Sequence, residues 1–336
     1  MRDFGYTRAA DTAGALAEIG AADARVIAGG TELVNLLKER IEAPELLVDI
    51  NGLPLDEIAA DEDGLRIGAL ARMSDVAAHP AVRAGYPVIA QALERSASPQ
   101  LRNMASMGGN LMQRTRCPYF RADAVLPCNK RTPGSGCAAL GEHGQQRTQA
   151  IFGWSDHCVA THPSDVAVAL AALDATVHVT GPDGDSRIPL AEFHRLPGDT
   201  PEHDTVLPAG ALITAITVPA SPVAPRSAYL KVRERASYEF ALVSAAVAVR
   251  VADGVIAEAR IALGGVAAKP WRLPDAERAL VGVPAGDGLD REAARAAIAP
   301  AFAGARPLAG NGFKVELARR TVVRALEPAV RQGGAE

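Results

Sequence analysis

The chain's four cysteines, Cys117, Cys128, Cys137 and Cys158, fall in one stretch of a 336-residue sequence, separated by ten, eight and twenty residues. Crowding every thiol into one Pro-, Gly- and Arg-rich segment points to a shared site rather than scattered core residues. Zinc wants four thiolates in tetrahedral array, commonly as closely spaced pairs, and no CxxC occurs here. Disulfides need an oxidising compartment, and four cysteines in so long a chain are no disulfide scaffold. A [4Fe–4S] cluster takes four thiolates and tolerates wide, loop-borne spacing, because each corner of the cubane is approached from a different direction. The spacing favours iron–sulfur and leaves zinc and unrelated thiols open. Arg114, Arg116, Arg121, Lys130 and Arg131 flank the thiols. They either offset the negative charge of a four-thiolate cluster or form a solvated face. Pro118 and Pro127 would stiffen the loop, and His143, His157 and His162 read as surface or core histidines.

Two glycine pairs and a polar turn bracket the cysteines. "VIAGGTEL" comprises Val26, Ile27, Ala28, Gly29, Gly30, Thr31, Glu32 and Leu33. It reads as strand, Gly-Gly turn and helix start, with Thr31 as N-cap or phosphate donor. Amides at such a turn can approach a pyrophosphate closely, and the helix N-terminus adds partial positive charge. Plain strand–turn–helix geometry explains the motif equally well. It is neither a P-loop nor GxGxxG. "ASMGGNL" places Ser106, Gly108, Gly109 and Asn110 in a second turn, where Ser106 and Asn110 can hydrogen-bond a dinucleotide. "THPSD" opens a helix, with Ser164 as N-cap and Asp165 as a first-turn acid or an acceptor for a ribose hydroxyl. Together they make a better case for one bound dinucleotide than any does alone.

These motifs need elements to position them. Residues 1–50 read as βαβ-like: a helix at "DTAGALAEIG", a strand at "ARVIAGG", a helix at "TELVNLLKER" and a strand at "ELLVDI". A hairpin around Asp63-Gly64 and two helices follow. Residues 97–163 lose periodicity, and a loop this long in a compact domain is usually functional. Order returns with a helix at "PSDVAVALAALD", a hairpin, and a strand at "ALITAITVP". "PVAP" at 222–225 marks a domain boundary, and the last 110 or so residues suggest an antiparallel sheet covered by three terminal helices.

Composition excludes several classes. Net charge is −4, so no basic excess points to nucleic acid. No apolar run approaches the roughly 18 residues that span a bilayer. The N-terminus has no basic region followed by an apolar one, so no secretory signal is expected.

"VIAGGTEL", "ASMGGNL" and "HPSD", in this order, resemble the flavin-binding medium subunits of the molybdenum hydroxylases, the xanthine dehydrogenase family, which includes carbon monoxide dehydrogenase and the aldehyde oxidoreductases. "AYLKVRERASYEFALVSAAVAV" extends the resemblance into the C-terminal domain. The resemblance implies an α+β fold: an FAD-binding domain of the vanillyl-alcohol-oxidase (PCMH) type over residues 1–222, with subdomains of about 1–54 and 55–222. An iron–sulfur insert of about 112–160 lies within it, and a smaller α+β domain covers 223–336. Most members lack the cysteine insert. The subset that has it carries an extra [4Fe–4S] cluster, and includes the FAD subunit of the periplasmic aldehyde oxidoreductase and the β subunit of 4-hydroxybenzoyl-CoA reductase. The spacing here looks closer to the first.

Carried over by resemblance, Val26–Leu33 hold the FAD pyrophosphate, Ser106–Asn110 form the second flavin loop, and Asp165 meets the ribose. Ile213 lies against the isoalloxazine and Lys231 falls near the flavin; Arg114, from its position between the second glycine loop and Cys117 rather than from the resemblance, is a candidate bridge between cofactor and cluster. Cys117, Cys128, Cys137 and Cys158 are the cluster ligands. The implied activity is electron transfer in a molybdenum-containing aldehyde oxidoreductase. Electrons run from [2Fe–2S] centres of a small subunit through FAD to an external acceptor, and a large molybdopterin subunit completes a heterotrimer. The alternatives are a 4-hydroxybenzoyl-CoA reductase-like β subunit and a zinc-stapled binding module without redox chemistry. Export to the periplasm with a signal-bearing partner, or a cytoplasmic location, both agree with the sequence.

Overall fold

A computed structural model describes residues 1–21 and 23–331. The last residues of the expected C-terminal domain, 332–336, lie outside this range. Among the described residues, no helix is long and apolar enough to cross a membrane.

The N-terminal unit is a parallel three-stranded sheet with Leu46–Asp49 in the middle, flanked by Gly5–Arg8 and Ala24–Ile27. The sequence reading missed Gly5–Arg8. This edge strand carries mostly exposed side chains, so it has no apolar alternation to betray it. The helix Thr12–Ala21 makes the crossover. The helix after the glycine pair is Leu33–Lys38, shorter than expected, and Glu32 rather than Thr31 occupies its N-cap, without a side-chain cap bond.

The second unit is an antiparallel five-stranded sheet in the order Ile58–Ala60, Gly64–Gly68, Leu212–Pro219, Thr176–Gly181, Gly184–Pro189. Leu212–Pro219 returns from far along the chain to the sheet centre, so everything between Gly68 and Thr176 is an excursion from this sheet. That excursion contains the helices Met73–Ala78, Pro80–Gly85 and Pro87–Glu94, and then the irregular region. The second glycine pair is not a turn. It lies inside the short helix Met107–Leu111, where Ser106 is the N-cap and accepts from the Gly109 amide. Helix propensity argues against two adjacent glycines there. Packing decides, because a Cβ at Gly108 would meet the Cβ of Ala69 at 3.0 Å.

The C-terminal unit is an antiparallel four-stranded sheet, Trp271–Arg272, Val255–Gly264, Val243–Ala252 and Ser227–Val232. Its two faces are covered differently, which explains the near-continuous apolar run "LVSAAVAV". Ala246, Ala248 and Ala262 join the core built around the helix Asp165–Ala172. Ala245, Val247 and Val249 face the long helix Phe313–Arg331. Small residues let Asp165–Ala172 approach the sheet closely: a Cβ at Gly264 would lie 2.6 Å from Val168 Cγ2. All eight residues of that helix are buried, so its Asp165 end is firmly placed.

Lys314, at the start of the long helix, is fully buried. Its ammonium donates to the carbonyls of Gln149 (2.8 Å), Thr148 (3.2 Å) and Gly265. Burial pushes this amine down to about 7. The three carbonyls ask for three donors, which only the ammonium supplies. The contact ties the chain between Cys137 and Cys158 to the end of the strand Val255–Gly264.

Candidate functional site

The first glycine loop packs directly on the chain leading into the second. A Cβ on Gly29 would lie 1.9 Å from the Met104 carbonyl oxygen, and Gly30 has φ +71°, where L side chains are strained. Arg72 donates to that same carbonyl (2.5 Å) and to Asn51 (2.8 Å), whose amide donates to the Ala28 carbonyl (3.0 Å). Asn51 and Arg72 therefore brace both loops. Neither stands out in the sequence, because single polar residues after a strand and before a helix carry no motif. Among the described residues the amides of residues 29–33 donate to no protein acceptor. They border a cavity of about 910 Å³. A run of free amides at a helix start suits a pyrophosphate.

The second loop contributes differently. The amides of Met107, Gly108 and Asn110 are taken by Ala71, Ala69 and Ser106 carbonyls, so it offers a surface rather than an amide cradle. Asn110 accepts from Ser164 (2.5 Å), which hooks this loop to the "HPSD" turn. Ser164 also caps its helix through the Ala167 amide. Of the residues singled out in the sequence, Val26, Ala28–Leu33, Ser106, Gly108–Asn110, Arg114, Asp165, Ile213 and Lys231 border the large cavity. Ile27 lies in the strand behind it, and Ser164 borders a neighbouring cavity of about 150 Å³. The connection between the strands Ser227–Val232 and Val243–Ala252 also reaches the cavity, with Arg235, Tyr238, Glu239 and Phe240 at its wall. That loop lies within the stretch "AYLKVRERASYEFALVSAAVAV", but the sequence singles out no site residue in the loop itself.

Asp165 and Lys231, about 65 residues apart in sequence, form a buried ion pair at 2.7 Å. Asp165 also accepts from Ser96 (3.0 Å) and from the Tyr229 hydroxyl (2.6 Å). Three donors already hold this carboxylate at the cavity wall. Burial and the adjacent carboxylate push the Tyr229 hydroxyl well above its usual range.

The basic residues around the cysteines are committed. Arg114 pairs with Glu42 (3.1 Å) and Asp204 (2.7 Å), and Arg116 with Glu32 (2.7 Å). Arg121 pairs with Glu32 (2.5 Å) and Glu39 (2.8 Å), and Lys130 with Asp204 (2.6 Å). Four cations meet four carboxylates, so this network is neutral rather than a free positive field. Only Arg131 differs, donating to backbone carbonyls that include Ala122 (2.5 Å). Burial would raise the Glu32 and Asp204 carboxyls, but their cationic partners outweigh it and hold both below the usual range.

All four cysteines are free thiols, two of them buried. Cys117 and Cys128 share an apolar cluster with Leu36 and Phe120, and Cys128 bridges Cys137 through the backbone. Burial raises the Cys117 thiol and pushes Cys158 up to about 11, and the neighbouring thiols add to both shifts. Cys117, Cys128 and Cys137 are linked through one apolar cluster and one backbone bridge. Among the described residues, no three His, Cys, Asp or Glu are gathered to hold a single metal ion.

The His162 and His194 rings are in contact, tilted by 48° with centroids 4.1 Å apart. His194 Nε2 bonds the Leu111 carbonyl (2.9 Å), while His194 Nδ1 and His162 Nε2 are buried without a partner. Burial pushes His194 down to about 4 and His162 well below its usual value. In the unfolded chain both take up protons near pH 6.5. The folded state is therefore fully favoured above that pH and loses stability as pH falls from about 6.5 to 4, by on the order of 3 kcal/mol for His194. Urea melts of His194→Gln should lose much of this slope. An unchanged pH profile would refute the assignment.

Comparison with known proteins shows the family of the chain. Residues 2–221 match the family described as the FAD binding domain in molybdopterin dehydrogenase, and residues 227–329 match the CO dehydrogenase flavoprotein C-terminal domain. The chain belongs to the FAD-binding medium subunits of the molybdenum hydroxylases. It is 49% identical to the aldehyde oxidoreductase FAD-binding subunit PaoB of Escherichia coli K12, over 98% of this chain and 99% of that one. It is 27% identical to the glyceraldehyde dehydrogenase medium chain of Sulfolobus acidocaldarius, covering 87% and 86%. Carbon monoxide dehydrogenase from Hydrogenophaga pseudoflava superposes with a TM-score of 0.74 at 26% identity, over 98% of both chains. As a member of this family the chain is an FAD-binding subunit of an oxidoreductase complex.

Proposed function

We propose that the chain is the electron-transfer subunit of a molybdenum-containing aldehyde oxidoreductase, carrying FAD in the large cavity and a [4Fe–4S] cluster on Cys117, Cys128, Cys137 and Cys158. The observation that carries this reading is the juxtaposition of a free-amide glycine loop with a four-thiol segment, joined by one ion-pair network. The choice of aldehyde as substrate class rests on the 49% identical relative, whose name specifies that activity. A large molybdopterin subunit and a small subunit with [2Fe–2S] centres are the proposed partners, and an external acceptor takes the electrons onward.

The amides of residues 29–33 bind the pyrophosphate, and Asp165, Ile213 and Lys231 wall the rest of the flavin site. Bound flavin supplies the exchange between one-electron and two-electron transfer. Asn51 and Arg72 keep the two loops in register, and Leu36 and Phe120 shield Cys117 and Cys128 from water. Four free thiols in one irregular segment, without a CxxC pair, are the donor set a [4Fe–4S] cluster takes.

Purified protein should show flavin absorbance with iron and sulfide in about a 4:4 ratio. Colourless protein holding zinc overturns the cluster. Isolated chain should not turn over aldehydes, and turnover without a molybdenum subunit overturns the partner-dependent reading.

A further inference from the structure

We propose that Glu32 is a positioning residue that couples the two cofactor sites, so that an assembled cluster tightens FAD binding. The inference rests on the reading above. Glu32 is part of the loop whose free amides face the flavin cavity, and it is the N-cap residue of the helix that follows. Its side chain does not cap that helix. It points away from its own loop and takes three ties from the cysteine segment. The Arg114 amide donates to it at 2.9 Å, and the Arg116 and Arg121 guanidiniums pair with it at 2.7 and 2.5 Å. Its carboxylate is 15% exposed, so solvent does little to screen these bonds.

Both guanidiniums belong to the cysteine segment. Arg116 precedes Cys117 in the chain, and its guanidinium lies over Phe240 at the cavity wall. Arg121 bonds the Thr115 carbonyl (2.9 Å) and lies over Phe120, which packs with Cys117 and Cys128. Cluster assembly fixes the irregular segment that carries Arg116 and Arg121. Those guanidiniums in turn hold Glu32, and Glu32 holds the amide loop in the geometry the pyrophosphate needs. Ordering that is supplied once by the cluster need not be supplied again by the flavin. Other ion pairs, such as Arg114 with Glu42 and Asp204, join the segment to neighbouring chain. Glu32 is the one on the amide loop itself.

The test is FAD affinity of the full-length chain, read by quenching of flavin fluorescence. It is measured with the cluster present and after stripping with ferricyanide and a chelator. In the wild type, stripping should weaken FAD binding about tenfold, within the usual range of coupling between sites. Glu32→Gln keeps the shape and loses the charge. It should bind FAD weakly in both states, with less than about a twofold response to stripping. Arg116→Gln cuts the same tie from the other side and should behave alike, which guards against a misfolded Glu32 variant. A merely structural role would lower thermal stability and leave the tenfold response in place. Equal FAD affinity in loaded and stripped wild type overturns the coupling, as does a full response in Glu32→Gln. Wild-type protein that binds FAD but contains no iron or sulfide overturns the cluster reading beneath it instead.

Discussion

Replacing Asp165 with alanine should cost about 3–5 kcal/mol of folding stability, because it strands the buried Lys231 ammonium. Among the described residues only the Arg95 carbonyl, at 3.2 Å, remains as a partner for that charge. The Tyr229 hydroxyl and Ser96 lose their acceptor as well. Because Asp165 starts a fully buried helix packed between two sheets, the damage cannot be relieved by moving the helix end into solvent. Lys231→Met should cost less, since Asp165 keeps its tyrosine and serine donors. The double variant Asp165→Leu, Lys231→Met should recover much of the loss, as paired apolar replacements of buried ion pairs commonly do. Urea unfolding of the three variants separates these terms. A single-variant loss below about 1 kcal/mol would refute the stranded-charge argument.

Gly29→Ala should weaken FAD binding roughly a hundredfold, about 3 kcal/mol. The new methyl would sit 1.9 Å from a backbone carbonyl that is itself pinned by Arg72, so the loops must part. Separating them disturbs the amides at residues 29–33. Gly20→Ala is the control. Nothing lies within 4 Å of a Cβ there, and the residue is helical, so that change should stabilise the protein by up to about 1 kcal/mol. Fluorescence titration with FAD checks the first and thermal melts the second. A Gly29→Ala variant that binds FAD normally would show that the glycine pair serves packing alone.

Some of this was legible in the sequence because it is local. Strand–glycine–helix and Ser164 as a cap each depend on a few consecutive residues, and the structure has them. Apolar runs bounded by turn residues placed the helix beginning at Asp165 and the strand Leu212–Pro219. Local signals also misled. Thr31 has the chemistry of a cap, yet Glu32 takes the position and turns its carboxylate to the arginines. Gly108-Gly109 reads as a turn and is helical, because the contact with Ala69 needs a missing side chain. The arginines near the cysteines read either as counter-charge to a cluster or as a solvated face. Their actual partners are carboxylates drawn from residues 32–42 and from Asp204.

The sequence by itself determined the cast: four thiols in one segment, glycines where a backbone must come close, and motif order sufficient to suggest a flavin subunit. Residue type fixes what a group can do, and short spacing fixes local conformation. The tertiary structure alone decided who meets whom. Asp165 finds Lys231 and Tyr229, Glu32 finds Arg116 and Arg121, and Gly29 finds the Met104 carbonyl, all across 60 to 90 residues of chain. Such pairings arise when a strand returns to the middle of a distant sheet and a long excursion folds back on the first loop. No local preference encodes that placement. It is set by the burial of three sheets and the helices between them.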